Sequence, residues 1–232
     1  MCDYNIKETS VNPLSEVKKT ISEQVYTYLI QMILSMQLKP AERIAEEEIA
    51  KRFGCSRAPI REALKKLEHE GIVNIYPNRY AEISNYDDEL IEQIGVVRIF
   101  HDIMTVKHVM LYACKDDFLK MKTFADQCFE AAKSDDYALR IQKDCEFHLE
   151  LSRISRNQLL LKFAKELFIR IEFIQASRYD AIVSPHEQLK EHYDIIDLLI
   201  NHEEKKAIEL ITKHNSAFHK LSDKYPLDFF IG

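Results

Sequence analysis

The sequence predicts a mostly α-helical protein in two parts, a helical unit that contains one short β-hairpin and, after it, an antiparallel helical bundle. Three observations support this prediction. The 232 residues include only 4 Gly, 6 Pro and no Trp, so signals for turns and strands are scarce. Apolar residues recur at intervals of three and four along most of the chain. Alternating runs that are typical of paired strands occur between residues 72 and 83.

Residues 1–14 show no periodicity, and we expect them to form a flexible tail. The first of the two parts begins after this tail. The apolar spacing predicts three helices, at residues 15–35, 46–53 and 58–70. Gly54 supplies the bend between the second and third helices. After Gly71, the turn Pro77-Asn78-Arg79 separates two short strands, which predicts a hairpin. Three helices followed by a hairpin make a winged helix-turn-helix over residues 15–84.

The start of the third helix carries residues that suit nucleic acid. Ser56 is placed to cap the helix with its hydroxyl, and Pro59 fits the first turn, where a missing N–H costs nothing. Arg57 and Arg61 are four residues apart, so they share one face near the positive end of the helix. Two guanidiniums there suit phosphate oxygens and the acceptor edge of guanine. A solvated helix face is the plainer explanation of such a pair.

The charge distribution restricts how this unit could bind DNA. The net charge is −6, but residues 15–84 contain 11 Lys and Arg against 10 Asp and Glu, and the excess acid lies in residues 85–232. A net charge of +1 does not produce a positive potential over the whole unit, so DNA binding would depend on a local cluster of basic residues. Arg79 at the hairpin tip could join that cluster by reaching a minor groove or a phosphate. Glu46-Glu47-Glu48 would repel phosphate if they faced it.

Composition also argues against several classes of protein. No apolar run approaches the roughly 20 residues of a membrane span, and the N-terminus lacks a signal pattern. We therefore expect a cytoplasmic protein that does not contact a membrane. The five cysteines are scattered without a CxxC motif, which argues against a disulfide framework and against a zinc ribbon.

The second part is almost entirely helical in its pattern. Helices are predicted at residues 87–113, 116–133, 136–155, 157–177, 186–201 and 203–224. Amphipathic helices of this length with short connectors imply an antiparallel bundle over residues 85–232.

Three histidines and an aspartate in the bundle suggest a metal site. Asp144 and His148 are four residues apart, so they share a helical face and could form a two-ligand pincer for a divalent ion. His192 and His214 lie on two further predicted helices, each among apolar neighbours. From spacing alone, core histidines with hydrogen-bonded neighbours are the commoner explanation. The other six histidines lack this combination of spacing and environment.

One long segment carries a family resemblance. It reads Ile49-Ala50-x3-Gly54-Cys55-Ser56-Arg57-Ala58-Pro59-Ile60-Arg61-Glu62-Ala63-Leu64-x2-Leu67-x2-Glu70-Gly71-Ile72-Val73. This pattern resembles the DNA-binding segment of the GntR family of bacterial transcription regulators, in particular the FadR-like branch with an all-helical C-terminal FCD ligand sensor. The resemblance covers roughly residues 17–224. Two departures are the wing tip, Asn78-Arg79 in place of a glycine beside a basic residue, and Glu46-Glu47-Glu48 in place of an early arginine.

The resemblance implies roles for individual residues. Residues at the double-stranded operator DNA would be Ser56, Arg57, Pro59 and Arg61. Ligands of a divalent Zn, Ni, Mn or Fe ion would be Asp144, His148, His192 and His214. Arg98 would clamp the carboxylate of a small effector, although an i,i+4 pair with Asp102 on the helix surface also explains its position.

These expectations combine into a metabolite-responsive DNA-binding transcription regulator. It would act as a homodimer, since a palindromic operator requires two recognition helices in fixed register. Two alternatives remain at this level. The bundle could be a metal-dependent enzyme with an accessory winged helix, or the winged helix could serve protein contacts alone.

Overall fold

A computed structural model of the chain describes residues 19–178, 185–221 and 224–231, with side chains described from residue 189 onward in the second range. The expected tail at residues 1–14 lies outside the described residues. The described part is mostly α-helical, with ten helices and one two-stranded sheet. Among these ten helices, none is long and apolar enough to cross a membrane.

The first helix, α1 (Ile21–Leu34), begins at a capping box, and the expected start at residue 15 lies outside the described residues. The Thr20 hydroxyl accepts a hydrogen bond from the Glu23 N–H, and the Glu23 carboxylate accepts one from the Thr20 N–H. Apolar residues at helical spacing, Val25, Leu29 and Ile33, form the buried face of α1.

The helix-turn-helix follows the predicted order. Helix α2 (Glu46–Phe53) ends at Gly54, whose φ of 59° is a left-handed conformation that glycine adopts without a steric penalty. Helix α3 (Arg57–His69) begins three residues later. Strands β1 (Val73–Tyr76) and β2 (Tyr80–Ile83) pair antiparallel, with Val73 opposite Ile83.

The bundle consists of α4 (Asp88–Tyr112), α5 (Lys115–Lys133), α6 (Tyr137–Ile154), α7 (Gln158–Ser177), α8 (Pro185–Ile200), α9 (Glu204–His219) and α10 (Leu227–Ile231). Helix α9 ends at His219, before the expected residue 224, because Lys220 takes a left-handed conformation with φ of 55°. The sequence did not predict α10, since five residues are too few to show a helical period.

One core cluster joins the N-terminal unit to the bundle. Phe173 of α7 is buried among the apolar side chains of α1, α3 and the hairpin. The Tyr86 ring lies edge-on to Phe173 at 5.0 Å, and its hydroxyl donates a hydrogen bond of 2.9 Å to the Gly71 carbonyl. The segment between the hairpin and α4 is therefore anchored on both sides.

Helices α4 and α9 approach each other closely. A Cβ atom at Gly95 of α4 would lie 2.6 Å from the Cβ and Cγ atoms of His219. Because glycine removes this clash, the buried face of α9 lies directly against that of α4. This contact places the polar residues of the two helices beside each other in the interior of the bundle.

Candidate functional site

The exposed start of α3 is the first candidate site. Ser56 occupies the N-cap position with an extended backbone, but its hydroxyl makes no capping hydrogen bond, so the predicted hydroxyl cap is wrong. Pro59, the third residue of the helix, has no N–H, so one of the two usual partners of a capping hydroxyl is absent and only the Ala58 N–H remains. The exposed Ser56 hydroxyl is left available to another acceptor or donor.

Arg57 and Arg61 project from this turn into solvent, with 56% and 64% of their side chains exposed. Each guanidinium is paired with a carboxylate from the first turn of α2. Arg57 Nη2 lies 2.8 Å from Glu47 Oε2, and Arg61 Nε lies 3.3 Å from Glu46 Oε2. From the sequence these glutamates are only a repulsive element, and their pairing with the arginines could not be predicted because the partners are separated by 10 and 15 residues.

The hairpin tip keeps its shape without glycine. Asn78 has φ of 58°, a left-handed conformation that asparagine tolerates better than most residues, and the Arg79 N–H donates to the Tyr76 carbonyl at 3.0 Å. Arg79 is exposed at this tip.

The second candidate site is buried in the bundle. The structure brings together the four predicted ligands, Asp144 and His148 of α6, His192 of α8 and His214 of α9. One potential ligand atom from each residue lies within 4.8 Å of the others. All four side chains are buried, and the His192 Nε2 atom is 3.3 Å from Asp144 Oδ1.

Two neighbouring side chains orient the cluster. Asp144 Oδ2 accepts a hydrogen bond of 2.6 Å from Gln175 Nε2. The Nδ1 atom of His214 lies 2.7 Å from Glu191 Oε2. Because a carboxylate can only accept, Nδ1 carries the proton, which leaves the Nε2 lone pair of His214 available for an ion.

The electrostatics favour the protonation states that metal ligands need. Burial, followed by the charge of Arg98, lowers the pKa of His148 well below its usual value, and burial lowers the pKa of His192. Burial opposes ionisation of Asp144, but His192, His148 and Arg98 outweigh it and hold the pKa of that carboxyl well below its usual range. Neutral imidazoles beside an ionised carboxylate form a donor set for a divalent cation.

The hydrogen-bonding state of the two central histidines supports the same conclusion. Within the described residues, both ring nitrogens of His148 and the Nδ1 atom of His192 have no hydrogen-bond partner, and the Nε2 atom of His192 faces only the Asp144 carboxylate. Buried polar atoms without partners are rare because each costs free energy. The residues present therefore fit a metal ion, and the structure contains a buried group that could hold one.

Arg98 lies in the interior next to this cluster, and its i,i+4 pair with Asp102 is buried, so the alternative of a pair on the helix surface is excluded. Both side chains are 1% exposed, and Arg98 Nε is 3.7 Å from Asp102 Oδ2. Asp102 is already occupied by other groups, since it accepts a 2.8 Å hydrogen bond from Asn215 and lies 3.0 Å from His101 Nδ1. The Nε and Nη2 atoms of Arg98 make no hydrogen bond within the described residues.

Further buried polar residues on α4 and α9 were missed from the sequence. Thr105, Thr212 and Asn215 each have a buried oxygen without a hydrogen-bond partner among the described residues. The spacing in the sequence could have indicated Thr105, because it follows Arg98 by seven residues and therefore lies on the same helical face. His219, which the sequence did not assign to the site, is also buried, and its pKa is lowered by burial and by the charge of Arg98.

Comparison with known families identifies both parts of the chain. Residues 21–82 match the family described as "Bacterial regulatory proteins, gntR family", and residues 102–217 match the FCD domain. The HTH-type transcriptional repressor RspR of Escherichia coli strain K12 is 23% identical over 210 residues, which cover 89% of each chain. The Nta operon transcriptional regulator of Aminobacter aminovorans is 26% identical over 183 residues, which cover 79% of this chain and 85% of that protein.

Solved structures agree at the level of the fold. E. coli McbR/YncC superposes with a TM-score of 0.74 at 18% identity, covering 86% of this chain and 95% of that one. A putative transcriptional regulator GntR from Rhodococcus sp. RHA1 gives a TM-score of 0.75 at 18% identity, covering 88% and 98%. Proteins of this family regulate transcription and are not enzymes. The chain therefore belongs to the GntR family, as a transcription regulator with an N-terminal DNA-binding helix-turn-helix and a C-terminal FCD ligand-binding domain.

Proposed function

We propose that this regulator senses a small carboxylate at a metal site in its helical domain, residues 85–232, and that it transmits the signal to a DNA-binding domain at residues 15–84. The observation that carries the proposal is the buried cluster of Asp144 and three histidines beside Arg98, whose guanidinium has donors without partners among the described residues. A protein interior keeps such groups only where another interaction offsets their desolvation.

The metal would be held by Asp144, His148, His192 and His214. One carboxylate and three imidazoles suit Zn, Ni, Mn or Fe(II), and an ion that accepts more than four ligands supplies positive charge and open positions for oxygen ligands. Glu191 would hold His214 in the required tautomer, and Gln175 would orient the Asp144 carboxylate.

The effector would be bound by Arg98, because a planar guanidinium matches a carboxylate in a bidentate geometry. Asp102 holds the arginine in place from one side, at 3.7 Å, without satisfying its Nε and Nη2 donors. Asn215, which donates to Asp102, keeps an unpartnered oxygen next to this pair, a polar group that suits a hydroxyl or amino substituent on an acid.

The DNA contacts would come from the exposed start of α3 and from the wing. We assign Ser56, Arg57, Pro59 and Arg61 to the operator because they lie at the N-terminus of an exposed helix, where backbone N–H groups and guanidiniums favour phosphate. Arg79, exposed at the hairpin tip, would contact a phosphate or the minor groove. A regulator that binds operator DNA would act in the cytoplasm.

A homodimer is supported by one face of α4. Val97, Phe100, Met104 and Leu111 follow one another at spacings of three, four and seven residues and remain largely exposed. A second copy of the chain would cover this stripe and give the two α3 helices a fixed separation on a palindromic operator. Effector binding would then alter that separation through the segment at Tyr86, which contacts both Gly71 and Phe173.

The sensor part of the proposal is tested by metal analysis and thermal shift. We expect about one divalent ion per chain in the purified protein, and we expect that His192→Ala and His214→Ala lose it, since each removes a ligand. His69→Ala, which removes an exposed histidine of α3, is the control. A panel of small mono-, di- and tricarboxylates should stabilise the metal-loaded wild type and leave both cluster variants unchanged. Full metal content in the cluster variants would contradict the site.

A further inference from the structure

We propose that Glu46 and Glu47 compete with DNA phosphate for the two arginines of α3 and thereby reduce the affinity of the regulator for DNA of arbitrary sequence. The inference rests on the proposed role of Arg57 and Arg61 at the operator, and it adds a determinant of specificity on a different helix. Under this proposal, the carboxylates of α2 act as intramolecular counterions that DNA must displace.

The geometry pairs the two helices one to one. Glu47 Oε2 lies 2.8 Å from Arg57 Nη2, and Glu46 Oε2 lies 3.3 Å from Arg61 Nε. The Gly54 turn brings the first turn of α2 beside the first turn of α3, so the pairs form at the surface that α3 offers to DNA. Glu48 shares this turn of α2 and is exposed, but it makes no ion pair within the described residues.

Stability of the fold does not explain these pairs. Exposed ion pairs contribute little to folding because solvent screens them and because both side chains lose conformational freedom. Glu47 is 83% exposed and Arg57 is 56% exposed, so DNA can displace this carboxylate at low cost. The favourable position of glutamates at a helix N-terminus explains why they occur there but not why they pair with α3, since Glu48 occupies the same turn without a partner on α3.

The two ion pairs affect binding to DNA of arbitrary sequence more than they affect binding to the operator. Binding to arbitrary sequence depends almost wholly on cationic side chains that replace counterions on phosphates. Two arginines that are neutralised by carboxylates release few counterions and so contribute little to this binding. The remaining charge of the N-terminal unit is also small, only +1 over residues 15–84. At an operator, an arginine gains bidentate hydrogen bonds to guanine, which offset the loss of its carboxylate partner. The carboxylates therefore act against non-operator DNA more than against the operator.

The test uses the full-length protein and two duplexes of equal length and base composition. One duplex is selected from a random pool by the wild type, and the other is its scrambled version. Fluorescence anisotropy over a series of salt concentrations gives both affinity and its salt dependence. The variants are Glu46→Gln, Glu47→Gln, the double variant and, as a matched control in the same turn, Glu48→Gln.

We expect each of the two substitutions to raise affinity for the scrambled duplex by about two- to fivefold, the equivalent of one exposed ion pair. The salt dependence should steepen by about one unit in log K against log salt for each arginine released. Affinity for the selected duplex should rise less, so that the ratio of the two affinities falls. Glu48→Gln should change both affinities by less than either substitution.

A second comparison separates competition for the arginine from a general charge effect. In an Arg57→Gln background, Glu47→Gln should no longer raise affinity, since its partner is gone. Unchanged affinity for the scrambled duplex in the double variant, or an equal rise with Glu48→Gln, would overturn the inference. Since Glu47 is largely exposed, its single variant tests the proposal even if substitution at Glu46 disturbs folding. A wild type without salt-dependent affinity for either duplex would instead overturn the proposed DNA contacts and this inference with them.

Discussion

Arg98 lies in a costly environment for a charged side chain. Its side chain is 1% exposed, it lies 3.7 Å from a carboxylate that already serves His101 and Asn215, and two of its donors have no partner among the described residues. Burial of a charge without full hydrogen bonding costs several kcal/mol as an order of magnitude. A site that binds an anion offsets that cost when the anion arrives, which explains why such a residue would persist in the interior.

Replacement of Arg98 by Met tests this interpretation at the scale of one residue. Methionine fills a similar volume without charge, so the variant should fold and should lose any thermal stabilisation by carboxylates. The expected loss of effector affinity is about tenfold to a hundredfold, the contribution of a charge-assisted bidentate contact. Isothermal titration with a carboxylate that stabilises the wild type measures this loss. Equal affinity in the variant would exclude Arg98 from the effector site.

Among the helices, α7 connects the two parts of the protein, and Glu172 lies where it meets α1 and α6. This carboxyl lines a groove of about 840 Å³ together with Tyr28 of α1 and Gln142 of α6. Burial, and then the charge of Glu146, raise the pKa of Glu172 to about 7 from its ordinary value of 4.5. The folded protein therefore holds a proton on this residue that the unfolded chain releases at lower pH.

The sign of the resulting pH dependence follows from that proton. Between about pH 4.5 and 7 the folded state binds more protons than the unfolded state, so Glu172 makes stability fall as pH rises through this window. Glu172→Gln should be neutral near pH 4.5 and should stabilise the protein by about 1–3 kcal/mol at pH 8. Thermal unfolding at both pH values measures the difference. Glu166→Gln, at an exposed position of the same helix, should change neither value.

The elements show what could be predicted from sequence and what could not. The confirmed fold class and family depended on local signals, such as the Gly54 turn between α2 and α3 and the apolar spacing of α1. Element ends were less accurate where one backbone conformation decided them, as at Lys220. The pairs between α2 and α3 could not be predicted, because they depend on the angle between two helices. For the same reason, the sequence alone left both a cavity and a surface pair open for Arg98.

At the scale of the whole molecule, the apolar stripe on α4 is the feature that a single chain leaves unexplained. Leu111 is 72% exposed and Val97 is 58% exposed, while Phe100 and Met104 are about half exposed between them. Leu159 and Phe163 are also exposed on α7, beside α4, where the Leu160 carbonyl lies 3.0 Å from His101 Nε2. Contiguous exposed apolar surface of this kind is typical of a protein interface. A second copy of the chain would bury this surface.

Introduction of charge into the stripe should separate the copies. Val97→Glu combined with Met104→Glu places two carboxylates on each side of the proposed interface, so repulsion and desolvation should yield a monomer in light-scattering measurements. Because two linked contacts bind more tightly than one, affinity for a duplex selected by the wild type should fall about 10²- to 10⁴-fold. Leu119→Glu, at an equally exposed apolar position on α5, should leave mass and affinity unchanged. A double variant that stays dimeric would place the interface elsewhere, whereas a monomer with full affinity would show that DNA binding needs no second copy.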